Sequence, residues 1–336
     1  MSLLELAAWV RRMPKVELHV HLEGSIRPQT LAELAEKNQV DLPGGVSGIY
    51  RFANFQEFID AYMRCASCLC TREDFRRVTY EFLADEAAQG ICYCEVLLSS
   101  MQHMKRHMDF QCIMQAMQAG YRQARQESGI RMGVIFDHGR QFGPQAGMEV
   151  LAQALATRDY GVIGVSIGGD EEHFPPDLFE DMFRRAQAAG LAVTAHAGEF
   201  CGPESIWGAI RRLGVRRVGH GIHALEDPEL VDYLRRERVY LDVCPSSNLR
   251  TGVIPSPEDH PVRRLFDAGV PITLSSDDPA FFQTNLVQEY LFLAERFRFT
   301  REELWRVSLN GVRASFLPAE EKAVLEEQFQ QEISTL

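Results

Sequence analysis

Val16-Glu17-Leu18-His19-Val20-His21-Leu22-Glu23-Gly24, near the N-terminus, is the stretch from which the remainder of the chain is read. In a β-strand alternate side chains share a face, so His19 and His21 point the same way while Val16, Leu18, Val20 and Leu22 supply strand propensity. Two imidazoles held like this converge on one point, and neutral imidazole is a good zinc ligand. A solvated strand face bearing two polar residues gives the same local pattern. The choice between them therefore rests on the rest of the sequence.

Working outward, the strand-like runs at 91–98, 132–136, 162–167, 191–196, 217–220, 239–243 and 270–274 are each separated by a helical stretch. Residues 28–35 read as a helix with proline in its first turn, 44–48 as a loop beyond it, and 73–89 as another helix. In 52–63, Phe52, Phe55 and Ile59 fall at helical spacing, which fits plain core or an apolar flap over a pocket. About eight strands alternating with helices is the pattern of an α/β protein of the (β/α)8 TIM barrel type. A doubly wound open sheet is the competing fold, but no Gly-x-Gly-x-x-Gly follows the first strand. With no Pro/Gly/Ser-rich linker and no shift in composition, residues 1–336 are expected to form a single domain.

The composition, 46% hydrophobic and 24% charged, is that of a globular chain able to bury a large core. A formal charge of -12 repels a phosphate backbone, so neither nucleic acid nor an anionic membrane is expected as a partner. Residues 3–12 have their basic residues after the apolar stretch, the wrong order for a signal peptide, and read as a short amphipathic helix. No run approaches the ~18 apolar residues needed to span a bilayer. A cytoplasmic protein with its eight cysteines as thiols is expected. Cys65, Cys68 and Cys70 directly follow a helical stretch with no second cysteine pair nearby, and Cys92 and Cys94 alternate along a strand. All five are expected to pack rather than bind metal.

In a barrel, chemistry gathers at the C-terminal ends of the strands. His19 and His21 end the first run, Gly168-Gly169-Asp170-Glu171 the fourth and His196-Ala197-Gly198-Glu199 the fifth. His220 and His223 follow the sixth, Cys244-Pro245-Ser246-Ser247-Asn248 the seventh and Ser275-Ser276-Asp277-Asp278-Pro279 the eighth. A catalytic zinc takes three or four N/O ligands and keeps a position for water; His19, His21, His196 and Asp277 supply them. Glu199, three residues after a ligand, is free to donate or accept a proton. Asp278 is expected to meet the activated water and His220 to orient it and stabilise charge. His223 is read as a loop or core histidine. His103, His107, His138, His173 and His260 lack a converging partner and stay outside the expected site, and Cys244 is not needed as a nucleophile.

From Pro14-Lys15-Val16-Glu17-Leu18-His19-Val20-His21-Leu22-Glu23-Gly24 through His196-Ala197-Gly198-Glu199 and Val218-Gly219-His220-Gly221 to Ser276-Asp277-Asp278-Pro279, the chain resembles the adenosine deaminase family of the amidohydrolase superfamily. The resemblance implies a one-zinc (β/α)8 barrel that replaces the 6-amino group of a purine by an oxo group and releases ammonia. It implies His19, His21, His196 and Asp277 as zinc ligands, and Glu199 as the residue that protonates purine N1. His220 and Asp278 become the pair that orients and deprotonates the water. Gly169 resembles the glycine whose backbone contacts ring N3, and His21 and Asp278 also border the substrate.

Adenosine-specific members usually carry aspartate where this chain has Glu23, to hold the ribose 5′-hydroxyl, whereas glutamate is also familiar in adenine deaminases. The Gly-Gly-Asp-Glu stretch is closer to the nucleoside enzymes. Adenosine or a 5′-modified adenosine such as aminodeoxyfutalosine is therefore the expected substrate, with Glu23 as a substrate-binding residue that helps select it and its contact with the sugar left open. Free adenine is the alternative. A purine-binding barrel without turnover would lack Glu199, Asp277 or Asp278, and all are present. The cytidine-deaminase plan, His-x-Glu with Pro-Cys-x-x-Cys, is absent.

Overall fold

A computed structural model describes residues 3–106 and 108–335. Among the described residues nine parallel strands run β1 (Lys15–His21), β2 (Ile91–Ser99), β3 (Arg131–Gly139), β4 (Val162–Gly168), β5 (Ala192–Val193), β6 (Ala195–Ala197), β7 (Arg217–His220), β8 (Tyr240–Val243) and β9 (Ile272–Leu274). Neighbours pair in chain order, β1 to β5 in one sheet and β6 to β9 in another. The gap between β5 and β6 is one residue, Thr194, whose N–H still donates to Val165 O at 3.2 Å. The two short pieces are one barrel strand, which makes eight.

The ring closes at the strand that carries the histidine pair. His21 N–H donates to Asp277 O at 2.8 Å and Asp277 N–H to His19 O at 3.2 Å, joining the chain beyond β9 to β1. Buried parallel strands read as continuous apolar runs, which is why all eight barrel strands were visible in the sequence. The eighth begins later than expected because Pro271 has no N–H to give; its carbonyl still accepts from Leu241 N–H at 3.1 Å.

Local chemistry explains the helices. Pro28–Asn38 opens with proline in its first turn, and Arg72–Ala88 with a capping box of Thr71 and Asp74. Asn54 caps Phe55–Ser67 by accepting from Glu57 N–H. Residues 44–48, expected as a loop, instead lead into a one-turn helix, Gly45–Ile49, entered through Gly44 at φ 74°. The helix Leu3–Arg12 is formed as expected. Among the described residues no helix is long and apolar enough to cross a membrane.

Arg217, buried at the start of β7, ties three strands together: it pairs with Glu95 of β2 at 2.6 Å and Asp242 of β8 at 3.0 Å. Glu95 also accepts from Tyr93 OH, and Asp242 from Thr273 Oγ1. His220 lies at the other end of the same strand.

Candidate active site

His19 and His21 leave the same face of β1, His196 comes from β6, and Asp277 follows β9. All four are buried, and one ligand atom from each lies within 4.8 Å of every other. His19 Nε2 and His21 Nε2 are each 3.4 Å from Asp277 Oδ1, longer than a normal hydrogen bond. Zinc–ligand bonds of ~2.1 Å in a tetrahedron set ligand atoms roughly 3.4 Å apart. His19 Nε2 is buried without a hydrogen-bond partner. The residues thus fit a divalent ion better than they fit one another.

Electrostatics agree. Burial pushes the His196 imidazole down to about 3, so it is neutral, and its Nδ1 lies 3.0 Å from Ile167 O, which puts the proton on Nδ1 and leaves Nε2 as the ligand atom. Burial acts to raise Asp277, but the facing His19 and His21 hold its carboxyl well below the usual range, as an anion. Ser247 Oγ donates to its second oxygen at 2.6 Å. Burial acts to lower His21, yet Asp278, Asp277 and Asp137 raise it to about 10. Those carboxylates favour positive charge at this spot.

Glu199 sits just beyond β6. Burial, reinforced by Asp277, Glu171 and Asp278, pushes its carboxyl well above the ordinary value, which favours its protonated form. Its loop is held by a residue to which the sequence assigned no role. Glu171 accepts the backbone N–H groups of Gly198, Glu199, Phe200 and Cys201 at 2.5–3.3 Å. His220 Nε2 lies 3.5 Å from Glu199 Oε2, and burial keeps its imidazole neutral. Asp278 is buried with Oδ1 unpartnered, and burial raises its carboxyl well above normal.

These groups line one cavity, with about 90 Å³ of room for water. His21, His196, Glu199, His220, Asp277, Asp278 and the Gly168-Gly169 backbone form its polar side, and Phe55, Phe58, Ile59, Tyr62 and Met63 its apolar side. The helix Phe55–Ser67 therefore covers the pocket with Phe55 and Ile59 as well as packing, whereas Phe52 lies before its start and packs on Phe58 instead. Gly169 takes φ 88°, a conformation side chains resist. Asp137 and Gln141, not anticipated from the sequence, also border the cavity.

Glu23 lies apart from the other residues expected at the site. β1 ends at His21, and a 3-10 turn, Glu23–Ser25, swings the Glu23 side chain off the strand face. It is fully buried, accepting from Ser99 N–H at 3.1 Å and Tyr62 OH at 3.1 Å and facing His103 Nε2 at 2.8 Å. It does not line the cavity; Tyr62 stands there instead.

The other histidines divide. His138 faces Gly143 O, His173 faces Asp170 and His223 faces Glu226, all local contacts, while His107 lies outside the described residues. His103 and His260 reach the site's supports, His260 through Asn248, which touches His220. No sequence spacing announces either. Burial holds Cys244 as a thiol, with Sγ toward Asp242 O.

A profile of the family described as adenosine deaminase matches residues 14–332. A relative from Bordetella avium, named adenine deaminase, is 38% identical over 315 residues, spanning 93% of this chain and 99% of its own. The crystal structure of adenine deaminase from Arthrobacter aurescens matches with a TM-score of 0.90 at 30% identity, covering 96% of this chain and 99% of that one. A zinc-bound amidohydrolase from Burkholderia ambifaria matches with a TM-score of 0.91 at 26% identity, covering 98% and 94%. Profile, identity and barrel agree over nearly the whole chain: it belongs to the adenosine deaminase family of amidohydrolases.

Proposed function

We propose that the protein is an adenine deaminase, converting free adenine and water to hypoxanthine and ammonia. The observation that carries this reading is the position of Glu23. A carboxylate that is to hold a ribose 5′-hydroxyl must face the pocket, and Glu23 is instead engaged by Ser99, Tyr62 and His103. Tyr62, with its hydroxyl also 2.7 Å from Ser99 Oγ, walls off that side beside His21. A pocket of this kind suits a planar bicyclic base without a sugar. The names of the Bordetella and Arthrobacter relatives support the same choice over the nucleoside expected from Gly-Gly-Asp-Glu.

His19, His21, His196 and Asp277 would hold zinc, which when bound makes water a nucleophile at neutral pH. Glu199, protonated by its burial, donates to ring N1 and draws electron density from C6. A dication held by the four ligands would offset the burial that raises Asp278, so its unpartnered oxygen accepts a proton from the attacking water. His220 Nε2 steadies the attacking oxygen, and the backbone at Gly169 borders the far edge of the ring. Phe55, Phe58 and Ile59 keep bulk water from the ring face. One new C–O bond forms at C6, the C–N bond to the amino group breaks, and a proton passes to the leaving nitrogen.

Substrate comparison tests this. On zinc-loaded protein, kcat/KM for adenine should exceed that for adenosine, 5′-deoxyadenosine and aminodeoxyfutalosine by about a hundredfold or more. A preference for any nucleoside contradicts the reading.

A further inference from the structure

His220 is held by two buried residues far from it in sequence, and the donors and acceptors between them can be assigned without ambiguity. Val262 N–H reaches His260 Nδ1 at 3.2 Å. A backbone N–H only donates, so Nδ1 carries the lone pair and the ring proton sits on Nε2. His260 Nε2 is 3.2 Å from Asn248 Oδ1 and so donates to it. The amide is thereby oriented. The reverse orientation would need His260 to accept at both ring nitrogens, which a neutral imidazole cannot do. The remaining Asn248 group, Nδ2, lies 3.2 Å from His220 Nδ1 and donates to it. His220 Nδ1 is then the acceptor, and its proton is on Nε2, the nitrogen facing Glu199 and Asp277.

We propose that Asn248 and His260 are positioning residues that lock His220 in its Nε2–H form, so that it acts as a hydrogen-bond donor toward the reacting oxygen while Asp278 takes the proton. All three side chains are buried, at 3% exposure or less, so no water competes for these bonds. His220 also needs a firm hold because its backbone is at φ 64°, an unfavourable conformation for a residue with a side chain. Asn248 lies on the short helix Pro245–Arg250, whose Ser247 grips Asp277. One helix thus orients both His220 and a metal ligand. The proposal rests on the active-site reading above for the use His220 makes of its proton; the lock itself is read from the bonds alone.

The test is ¹⁵N NMR of zinc-loaded protein carrying ¹⁵N-histidine, with His220 assigned by its disappearance in His220→Asn. The wild type should show an unprotonated Nδ1 and a protonated Nε2 at His220. Asn248→Asp offers an acceptor in place of the donor and should shift the proton to Nδ1. It should also lower kcat roughly 10²–10⁴-fold with KM unchanged. His260→Leu, which frees the amide to rotate, should give a mixture of forms, and His260→Gln, which keeps an N–H for Asn248, should restore the wild-type pattern. Wild-type His220 protonated at Nδ1, or a pattern unmoved by both Asn248→Asp and His260→Leu, overturns the proposal. The wild-type spectrum decides even where a variant does not fold. Because the spectra are recorded without substrate, failure to turn over adenine overturns the function and not the lock.

Discussion

An exposed glutamate is ionised at neutral pH, whereas burial beside carboxylates raises the Glu199 carboxyl well above the ordinary range, which suits it to the proton donation proposed for it. Glutamine at this position keeps the shape and an N–H but has no proton to transfer. Glu199→Gln should therefore lower kcat on adenine by roughly 10²–10⁴-fold while zinc content stays that of the wild type. Steady-state kinetics with metal analysis checks this, and near-normal turnover would remove Glu199 from the chemistry. Glu199 was legible in the sequence because it follows His196 at a strand end. Glu171, which grips its loop, was not, because it binds backbone N–H groups that any residues would offer. Glu23 sits apart from the cavity for a related reason: closeness to His21 implies a shared face, but the strand ends at His21.

At the scale of the elements, chemistry is concentrated where strands stop. His220 and Asp277, the residues at the ends of β7 and just past β9, both take φ 64°, a strain of about 1–3 kcal/mol each. That turn lets consecutive Asp277 and Asp278 both enter the cavity. Asp278 in turn packs on the 3-10 turn after β1, where a Cβ on Gly24 would collide with its Oδ1. Gly24→Ala must push Asp278 aside; a displacement on the order of 1 Å should cost about a hundredfold in kcat. Circular dichroism should remain that of the wild type, and full activity would show that Asp278 tolerates being moved. The strands themselves were legible from their apolar runs. The break at Thr194 and the delayed start after Pro271 were not, since both depend on which backbone groups find partners across the sheet.

Over the whole molecule, the three histidines and Asp277 meet only because the barrel closes, with Asp277 hydrogen-bonded to the strand that bears His19 and His21. The grouping of His19, His21, His196 and Asp277 could be read from residue types at successive strand ends, whereas its supports, Ser247, Asn248 and His260, become visible only once the helices are packed around it. A site assembled from such distant parts should bind one ion and depend on it. Titrating zinc into chelator-stripped protein while following adenine by its ultraviolet absorbance measures ion and substrate together. Adenine turnover should rise linearly and level off at one zinc per chain, with adenosine left almost untouched. Full turnover in the stripped protein, or no conversion of adenine at any zinc concentration, would contradict the account.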